Sequence, residues 1–392
     1  MRSTAPPRIA TLLARAGTDG DGEQMACPSL QLATAARFAS AEQARASMAA
    51  APGRQTGYRR HGNTTVLQLE AAFSALQQGA SCVAVASGMA ASMAIFATLL
   101  RSGDHVIMPC NVFYETAAQL ERVSHAAGIG VSRVDGGSVM AIVAAFRPET
   151  RLVLVESPSN PGLVTLDIPA LVAACHARRI LLVVDNTLLT PLAQNVLALG
   201  VDLSIYSMSK HLSGHGDVIG GMVCTRSPEL HAQLIDWRIC AGSGIDPFSA
   251  WLALRGLRSL PARLRSHAGN AMSLGRMLER RFPWLTWRGV WQGPHARRNR
   301  VSPRLHTGLM ALVFDDAATA ARFVASLHDI PVLPTFGNPE TGVFHYGGII
   351  DDPGALAACG IPAGLVRLAV GIEDWRDLQH DIGQALLRCR HD

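Results

Sequence analysis

Short apolar runs alternate with longer helical patterns from about residue 58 onward. Six runs of four or five residues, bounded mostly by charged residues or glycine, have the length of buried strands. The predicted strands are 82–86, 105–108, 152–155, 180–184, 203–206 and 221–224, and the predicted helices are 66–78, 90–100, 116–127 and 169–178. Because the strands are apolar throughout and alternate with helices, we predict an α/β fold with a mostly parallel sheet covered on both faces.

The pattern changes near residue 250. Residues 251–281 have a long arginine-rich helical pattern, and residues 283–306 form an irregular stretch rich in Trp, Pro and Arg. The runs that follow alternate between strand and helix patterns at 309–314, 317–327, 366–370 and 375–388. These elements predict a smaller α+β domain. We therefore predict an N-terminal arm at 1–57, a large domain at 58–250 and a small C-terminal domain at 251–392.

Two stretches bear on targeting. Residues 81–100 contain no charged side chain and approach the length that spans a bilayer. Ser87 and Gly88 divide this stretch into a strand pattern and a helix pattern, which argues against a membrane span. The N-terminal residues include arginine but no continuous apolar core of signal-peptide length. We expect neither a membrane anchor nor a secretory signal.

The composition excludes several classes of protein. The 392 residues are 48% hydrophobic and 17% charged, so the chain can bury a large core and is not expected to be disordered. The net charge of +5 is spread along the chain, which does not favour nucleic acid as a partner. The eight cysteines lack a C-x-x-C pair, which argues against a zinc site or a disulfide framework and favours a reducing cytoplasm.

Lysine usage is the most informative part of the composition. The chain has 35 basic residues, and Lys210 is the only lysine among them. Arginine can replace lysine at almost any exposed site, but it cannot supply a neutral amine that attacks a carbonyl. Lys210 is therefore a candidate for covalent catalysis, with a leftover surface lysine as the alternative interpretation.

Polar residues follow three of the predicted strands, at the carboxyl ends where ligands bind in such sheets. Ser87 and Gly88 precede a helix whose N-terminus would face an anion. Asp185 ends the run 180–184, where a partly buried carboxylate needs a cationic or protonated partner. Each of these two features alone also has an ordinary structural explanation. Ser87 and Gly88 can form a capped turn, and Asp185 can be a helix cap or a surface acid.

The third strand end carries two hydroxyls and the lysine. Ser207, Ser209 and Lys210 follow the run 203–206, and both hydroxyls could reach a phosphate. An amine, an acid and an anion site are what pyridoxal 5'-phosphate (PLP) requires. The competing hypothesis is a nicotinamide dehydrogenase, but the G-x-G-x-x-G fingerprint of that class occurs nowhere in the chain.

From about Tyr58 to the C-terminus, the chain resembles the Cys/Met-metabolism family of PLP-dependent enzymes. The most specific matching motifs are Val183-Val184-Asp185-Asn186-Thr187, Thr190-Pro191, Ser207-x-Ser209-Lys210 and Leu212-Ser213-Gly214-His215-Gly216-Asp217. The resemblance implies PLP as the cofactor, the aspartate aminotransferase-like fold type I, and residues 58–250 as the PLP-binding domain. It also implies a homotetramer, a dimer of dimers whose active sites are shared between subunits.

The same resemblance implies a role for each candidate residue. Lys210 would form the Schiff base and later move protons at the substrate carbons, and Asp185 would pair with the pyridine nitrogen. Tyr114 would stack on the cofactor ring and assist the leaving group. The remaining implied assignments are a phosphate cup of Gly88, Met89, Ser207 and Ser209, a pair of Tyr58 and Arg60 that reaches a neighbouring subunit's phosphate, and the substrate-binding residues Asn160, Thr335 and Arg367. Arg367 would clamp the substrate carboxylate.

The activity implied by the resemblance is β- or γ-elimination or replacement on a sulfur-containing or γ-substituted amino acid, of the cystathionine or O-acylhomoserine type. At the matching positions, Glu115 is typical of the β-lyases, whereas Ser207 and Asn160 are typical of the γ-acting members. The choice between these reactions stays open.

Two alternatives accompany this hypothesis. Departures from the family pattern, such as Ser209 for Thr and His211 for Tyr, permit a specialised biosynthetic enzyme that acts on an unusual amino acid and acceptor. A catalytically silent relative is the other alternative. The joint retention of Lys210, Asp185 and Tyr114 argues against it.

Overall fold

The computed structural model describes residues 7–18, 26–51, 53–55, 57–350 and 352–389. The strands are β1 (Ser81–Val85), β2 (His105–Pro109), β3 (Gly130–Val134), β4 (Thr150–Glu156), β5 (Leu181–Asp185), β6 (Leu203–Ser207), β7 (Gly221–Thr225), β8 (Thr286–Gly289), β9 (Leu309–Val313), β10 (Gly342–His345) and β11 (Leu365–Ala369). The α-helices are α1 (Ile9–Ala14), α2 (Ala41–Met48), α3 (Thr64–Leu76), α4 (Gly88–Leu99), α5 (Tyr114–Ala127), α6 (Val139–Ala144), α7 (Ile168–Ala177), α8 (Thr190–Ala193), α9 (Pro228–Ala241), α10 (Pro247–Arg281), α11 (Ala317–Ala325), α12 (Pro353–Ala358) and α13 (Trp375–Arg388). Short 3-10 helices occur at Val196–Leu199 and Tyr346–Gly348.

The elements form a larger sheet of seven strands, in the order β1-β7-β6-β5-β4-β2-β3, and a smaller sheet in the order β10-β11-β9-β8. The predicted α/β class, with a mostly parallel sheet and a smaller α+β part, is therefore confirmed. The six strands predicted for the larger sheet and the four predicted helices lie within two residues of their observed bounds. The chain divides into two compact units, Met1–Arg101 with Asp202–Pro261 and Ser102–Val201 with Ala262–Asp392.

The three domains predicted from the sequence have other boundaries and stay a prediction. Part of the predicted arm, residues 1–6, 19–25, 52 and 56, lies outside the described residues. The stretch 81–100 forms a strand, a turn and a helix, as predicted. Within the described ranges, none of the helices combines the length and apolar character that crossing a membrane requires.

In the first unit, β7 pairs antiparallel with both β1 and β6. Helices α3 and α9 pack against β1, and α4 packs against β6 and β7. A buried ion pair ties these elements together, because Arg238 Nη1 on α9 lies 2.6 Å from Glu70 Oε1 on α3. The same Glu70 oxygen accepts a hydrogen bond from Ala84 N on β1 at 2.8 Å. Glu70 therefore links α3 to both α9 and β1.

In the second unit, β5, β4, β2 and β3 form parallel pairs, whereas all pairs of the smaller sheet are antiparallel. Glu156 lies opposite Asp185 at the carboxyl ends of β4 and β5. The stretch predicted to be irregular, 283–306, contains the short strand β8. Its sequence, Thr-Trp-Arg-Gly, lacks a clear strand pattern, and its antiparallel pairing with β9 makes it a strand.

Candidate active site

A serine and a glycine form the turn between β1 and α4. Ser87 caps the helix, since its Oγ accepts a hydrogen bond from Ala90 N at 3.0 Å and its carbonyl oxygen accepts one from Ala91 N at 3.0 Å. Helix α4 is 12 residues long and begins at Gly88, with Met89 next in its first turn. The first main-chain N–H groups of a helix have no acceptor within the helix, and the helix dipole is positive at that end. This turn can therefore hold an anion.

Two glycines allow the main chain to approach closely around this turn. A Cβ atom on Gly88 would lie 3.1 Å from the Cβ of Ser207. A Cβ atom on Gly221 would overlap the carbonyl oxygen of Ser87. Larger residues would therefore displace the helix start from the end of β6. We call the group formed by Ser87, Gly88, Met89, Ser207, Ser209 and Lys210 the anion cradle.

Lys210 lies on the turn that follows β6. Two hydrogen bonds fix the turn against Gly220: Met208 N donates to the Gly220 carbonyl at 2.8 Å, and Gly220 N donates to Ser209 Oγ at 3.2 Å. Gly214 N donates to the Lys210 carbonyl at 2.9 Å, and the Lys210 side chain is half-buried. The structure therefore brings a half-buried amine, two hydroxyls and a helix N-terminus into one group.

Tyr58 and Arg60 form a separate pair at the surface of the first unit. The guanidinium carbon of Arg60 lies 5.7 Å from the centroid of the Tyr58 ring, within cation–π range. Arg60 Nη1 also donates to the Ile239 carbonyl at 3.0 Å. Both side chains are exposed in the single chain. Their contact with a neighbouring subunit stays a prediction.

In the second unit, two carboxylates end adjacent strands. Asp185 Oδ1 accepts a hydrogen bond from Thr187 N at 2.9 Å, and Glu156 Oε2 accepts one from Phe113 N at 2.9 Å. Burial raises the pKa of Asp185, whereas burial and the neighbouring Asp185 charge raise the pKa of Glu156 well above its ordinary value. The Asp185 charge therefore opposes ionisation of Glu156 and adds to the effect of burial.

Arg367, on β11, is buried and 3% exposed. Its Nη1 donates to Tyr346 Oη at 3.0 Å and to Asn160 Oδ1 at 3.3 Å. Its Nη2 donates to the carbonyl oxygens of Thr335 at 3.0 Å and Leu333 at 3.4 Å. Thr335 therefore contacts this guanidinium through its main chain. Within the described residues, every hydrogen bond from the Arg367 guanidinium goes to a neutral oxygen. We call Asn160, Thr335, Tyr346 and Arg367 the carboxylate clamp.

Tyr114 begins helix α5 and is 57% exposed. Its hydroxyl donates to Glu115 Oε1 at 3.4 Å, and its ring centroid lies 4.9 Å from that of Phe113. Partial burial raises the pKa of Tyr114, and the Glu115 charge adds to the effect. The phenol is therefore protonated at neutral pH and can donate a hydrogen bond.

The predicted site residues thus fall into two groups and one surface pair. The first unit holds the anion cradle and the Tyr58–Arg60 pair, and the second unit holds Tyr114, Asp185 and the carboxylate clamp. Glu156 and Tyr346 had no role predicted from the sequence. Glu156 did have a signal, because a charged residue there ends an apolar strand. Tyr346 had no local signal, because the pairing of β10 with β11 brings it to Arg367.

Comparisons with known proteins confirm the resemblance seen in the sequence. The profile of the Cys/Met metabolism PLP-dependent enzyme family matches residues 10–387. The O-succinylhomoserine sulfhydrylase of Pseudomonas aeruginosa is 34% identical over 339 residues, which cover 84% of this chain and 83% of that protein. The cystathionine γ-lyase of Homo sapiens is 34% identical over 349 residues, which cover 86% of this chain and 85% of that protein.

Solved structures agree. The crystal structure of cystathionine γ-synthase from Xanthomonas oryzae pv. oryzae in complex with cystathionine superposes with a TM-score of 0.89 at 31% identity, and the match covers 98% of this chain and 99% of that one. The N-terminus of α4, the close main-chain packing at Gly88 and Gly221, and the two serine hydroxyls of the cradle also fit the phosphate of PLP. This chain therefore belongs to the Cys/Met-metabolism family of PLP-dependent enzymes, with fold type I and PLP as its cofactor.

Proposed function

We propose that this enzyme eliminates or replaces a substituent at Cβ or Cγ of a sulfur-containing or γ-substituted amino acid. O-succinylhomoserine and cystathionine, which occur in the names of the relatives above, belong to this substrate class. The observation that carries the proposal is the buried Arg367 guanidinium, whose hydrogen bonds within the described residues all go to neutral oxygens. A buried cation is costly without an anion, so a substrate carboxylate would stabilise it.

When bound, PLP supplies an electron sink for negative charge at the α carbon of the substrate. The anion cradle supports a place for its phosphate, because a helix N-terminus and two hydroxyls favour a small anion. The residues that would hold the cofactor are Gly88, Met89, Ser207 and Ser209 at the phosphate, Asp185 at the ring nitrogen, Tyr114 at the ring face and Lys210 at the aldehyde carbon.

Lys210 would hold the cofactor covalently and, once substrate has released its amine, would move protons at the substrate carbons. A positioned acid–base group of this kind contributes about 10² to 10⁴ in rate. Asp185 would keep the ring nitrogen protonated, and the raised pKa of Glu156 beside it opposes a second negative charge there. The protonated phenol of Tyr114 would assist the leaving group.

The role of Lys210 is tested by borohydride reduction of the holoenzyme and peptide mapping. Because the chain has one lysine, the reduced adduct should map to the peptide that contains Lys210 and be absent from Lys210→Ala. We expect that variant to keep its circular dichroism spectrum and to lose turnover by at least about 10³-fold. An adduct on another peptide, or wild-type turnover in the variant, would overturn the assignment.

The reaction itself is tested by product analysis. Purified holoenzyme should be incubated with cystathionine and, separately, with O-acylhomoserine plus thiols. A keto acid with ammonia indicates elimination, a new thioether indicates replacement, and the carbon skeleton of the product separates attack at Cβ from attack at Cγ. If all these substrates are inert while PLP stays bound, the proposal fails and the alternative of a specialised enzyme with an unusual amino acid and acceptor gains.

The proposed assembly is a homotetramer with shared active sites, in the cytoplasm. The exposure of Tyr58 and Arg60 supports a role at a neighbouring subunit, and the eight free cysteines support a reducing compartment. Subunit mixing tests the sharing of sites. Arg60→Ala and Lys210→Ala should each be inactive alone, but their mixture should regain activity, because one site of a hybrid dimer then has both residues. A mixture that stays inactive after subunit exchange contradicts the shared site.

A further inference from the structure

The hydroxyl of Tyr346 lies within the carboxylate clamp. Tyr346 follows β10 directly, and the pairing of β10 with β11 puts Phe344 opposite Arg367. The Tyr346 side chain is 6% exposed. Its hydroxyl accepts a hydrogen bond from Arg367 Nη1 at 3.0 Å and donates one to Asn160 Oδ1 at 3.4 Å. One phenol therefore contacts both side chains that the family resemblance assigns to substrate binding.

The hydrogen bonds of Arg367 show what this phenol does to the guanidinium. Nη1 is directed at Tyr346 and Asn160, and Nη2 at two main-chain carbonyls. Within the described residues, the buried Nε has no hydrogen-bond partner. A guanidinium has five N–H donors, four on the Nη atoms and one on Nε. The four hydrogen bonds above give each Nη donor one protein oxygen as its acceptor. The Tyr346 oxygen thus sets the direction of one edge of the guanidinium.

The same contact fixes the amide of Asn160. Its Oδ1 faces two donors, the Tyr346 hydroxyl and Arg367 Nη1. The amide nitrogen must then point away from Arg367, since both amide atoms lie in one plane. That nitrogen is a donor that an incoming carboxylate can use. Loss of the Tyr346 hydroxyl would leave the amide held by one donor instead of two.

Aromatic rings restrict the remaining motion of the guanidinium. The ring centroids of Phe336, Phe344 and Tyr346 lie 5.1, 5.5 and 5.8 Å from the Arg367 guanidinium carbon. Rings at these distances attract the cation and limit how far it can turn. These contacts have no directional acceptor, so the hydrogen bonds set the direction of the guanidinium donors. Of the two hydrogen bonds from Nη1, the one to Tyr346 is shorter than the one to Asn160.

We propose that Tyr346 is a positioning residue for the α-carboxylate of the substrate. Its hydroxyl holds Asn160 so that the amide nitrogen is left to donate to that group, and it holds Arg367 Nη1 so that Nε remains as a donor for the carboxylate. This inference rests on the proposed function, since it requires that the substrate is an amino acid whose carboxylate binds Arg367. Preorganised donors bind a carboxylate more tightly than donors that must first be ordered.

The test compares two probes that differ in the carboxylate alone. L-Homoserine has it, and 3-aminopropan-1-ol is the same molecule without it; both are titrated into the holoenzyme and followed by the visible absorbance of bound PLP. Tyr346→Phe removes one oxygen and keeps the ring. We expect it to weaken L-homoserine binding about 10-fold and to leave 3-aminopropan-1-ol binding unchanged. Equal changes for the two probes, or no change for either, would overturn the inference.

A matched control removes the hydroxyl of another buried tyrosine. Tyr206 lies on β6 and is fully buried, and its hydroxyl accepts a hydrogen bond from Gln77 Nε2 at 2.7 Å. Tyr206→Phe should leave the ratio of the two affinities at its wild-type value. If it changes the ratio as much as Tyr346→Phe does, the effect is a general consequence of a lost buried hydrogen bond, and the inference fails.

Two further variants complete the test. Tyr346→His keeps a hydrogen-bonding ring and should retain more affinity for L-homoserine than Tyr346→Phe, so the opposite order contradicts the inference. Arg367→Lys should weaken L-homoserine at least about 100-fold, because an ammonium cannot replace the planar fork. If Arg367→Lys has this effect but Tyr346→Phe has none, the inference fails and the proposed function stands. If Arg367→Lys does not distinguish the probes, the proposed function fails and takes the inference with it.

Discussion

The anion cradle and the carboxylate clamp would hold anions by different physical means. The cradle uses main-chain N–H groups, a helix dipole and serine hydroxyls, and glycines at 88 and 221 provide its space. The clamp uses the full charge of Arg367, which is buried among aromatic rings and hydrogen-bonded to neutral oxygens. A site of main-chain donors depends on backbone position, whereas a site of buried charge depends on hydrogen-bond partners and on competing charges.

The largest effect should come from a single methyl group in the cradle. A Cβ at position 221 would overlap the Ser87 carbonyl, so Gly221→Ala must displace the start of α4. We expect PLP affinity to fall at least about 100-fold and the free energy of unfolding to fall by about 3 kcal/mol. Absorbance titration with PLP and urea denaturation measure these quantities.

Gly269→Ala is the control for this substitution. Residue 269 lies on α10, and no heavy atom lies within 4 Å of the Cβ that alanine would add. The variant should keep its PLP affinity and gain up to about 1 kcal/mol of stability from helix propensity. If both glycine variants bind PLP like the wild type, main-chain position does not determine the cradle.

The clamp should instead fail when a competing charge is added. Asn160→Asp places a carboxylate at a position whose Oδ1 lies 3.3 Å from Arg367 Nη1. This internal anion would pair with the guanidinium and compete with the substrate carboxylate, so we expect kcat/KM to fall about 100-fold, while PLP stays bound. Steady-state kinetics and the visible spectrum measure the two quantities.

Asn195→Asp makes the same chemical change at a helix cap. Asn195 Oδ1 accepts a hydrogen bond from Ala198 N at 3.2 Å, and an aspartate oxygen can keep that bond. This control should have wild-type kinetics. A loss of PLP in Asn160→Asp, rather than a loss of substrate binding, would contradict the distinction between cradle and clamp.

Acid should have a smaller effect, on the unit that contains the clamp. Burial, with the neighbouring His267, lowers the pKa of His306 to about 4, and His306 Nδ1 accepts a hydrogen bond from Gly308 N at 3.2 Å. The unfolded chain takes up this proton near pH 6.5 and the folded chain only near pH 4. The contribution of His306 to the free energy of unfolding is therefore full above pH 6.5 and is lost as pH falls from 6.5 to about 4.

His306→Gln should therefore lose less stability on acidification than the wild type. We expect a difference of about 2 kcal/mol by about pH 5, measured by chemical denaturation across this range. His380→Gln, at an exposed position of α13, is the control and should follow the wild-type curve. Identical acid limbs for wild type and His306→Gln would show that His306 does not couple pH to stability.

A pH effect of the opposite sign should come from Glu156, whose pKa is raised well above its ordinary value of 4.5 by burial and by Asp185. The folded state keeps a proton that the unfolded chain has lost, so this contribution to stability is full below pH 4.5 and is lost as pH rises through the raised pKa. Glu156→Gln has no such proton. The free energy of unfolding of Glu156→Gln, relative to that of the wild type, should therefore increase as pH rises above 4.5.

Denaturation from about pH 5 to 8 measures this difference in slope. Glu121→Gln is the control, since Glu121 is exposed on α5 and pairs with Arg133 at 3.4 Å. Parallel stability curves for Glu156→Gln and the wild type would mean that folding does not raise the pKa of Glu156.

Periodicity predicted the regular elements well where they are long or fully apolar. The helix predicted at 375–388 is observed as α13 with the same bounds, and the strand predicted at 309–314 is observed as β9, Leu309–Val313. Strands with a weak local pattern were missed. Strand β3, Gly130–Val134, is half-exposed, and β10, Gly342–His345, has four residues. Pairing with a neighbouring strand stabilises such segments, and a local pattern does not contain that information.

The α/β class, the family and the residues of the cradle could be predicted from local sequence, because the glycines, serines and lysine of the cradle stand in two short segments. The position of Glu156 beside Asp185 and the contacts of Tyr346 with Asn160 and Arg367 emerged from the folded chain alone. Strand register and β-sheet pairing bring residues that are far apart in the chain within hydrogen-bond distance, and burial then shifts the pKa values of the ionisable ones.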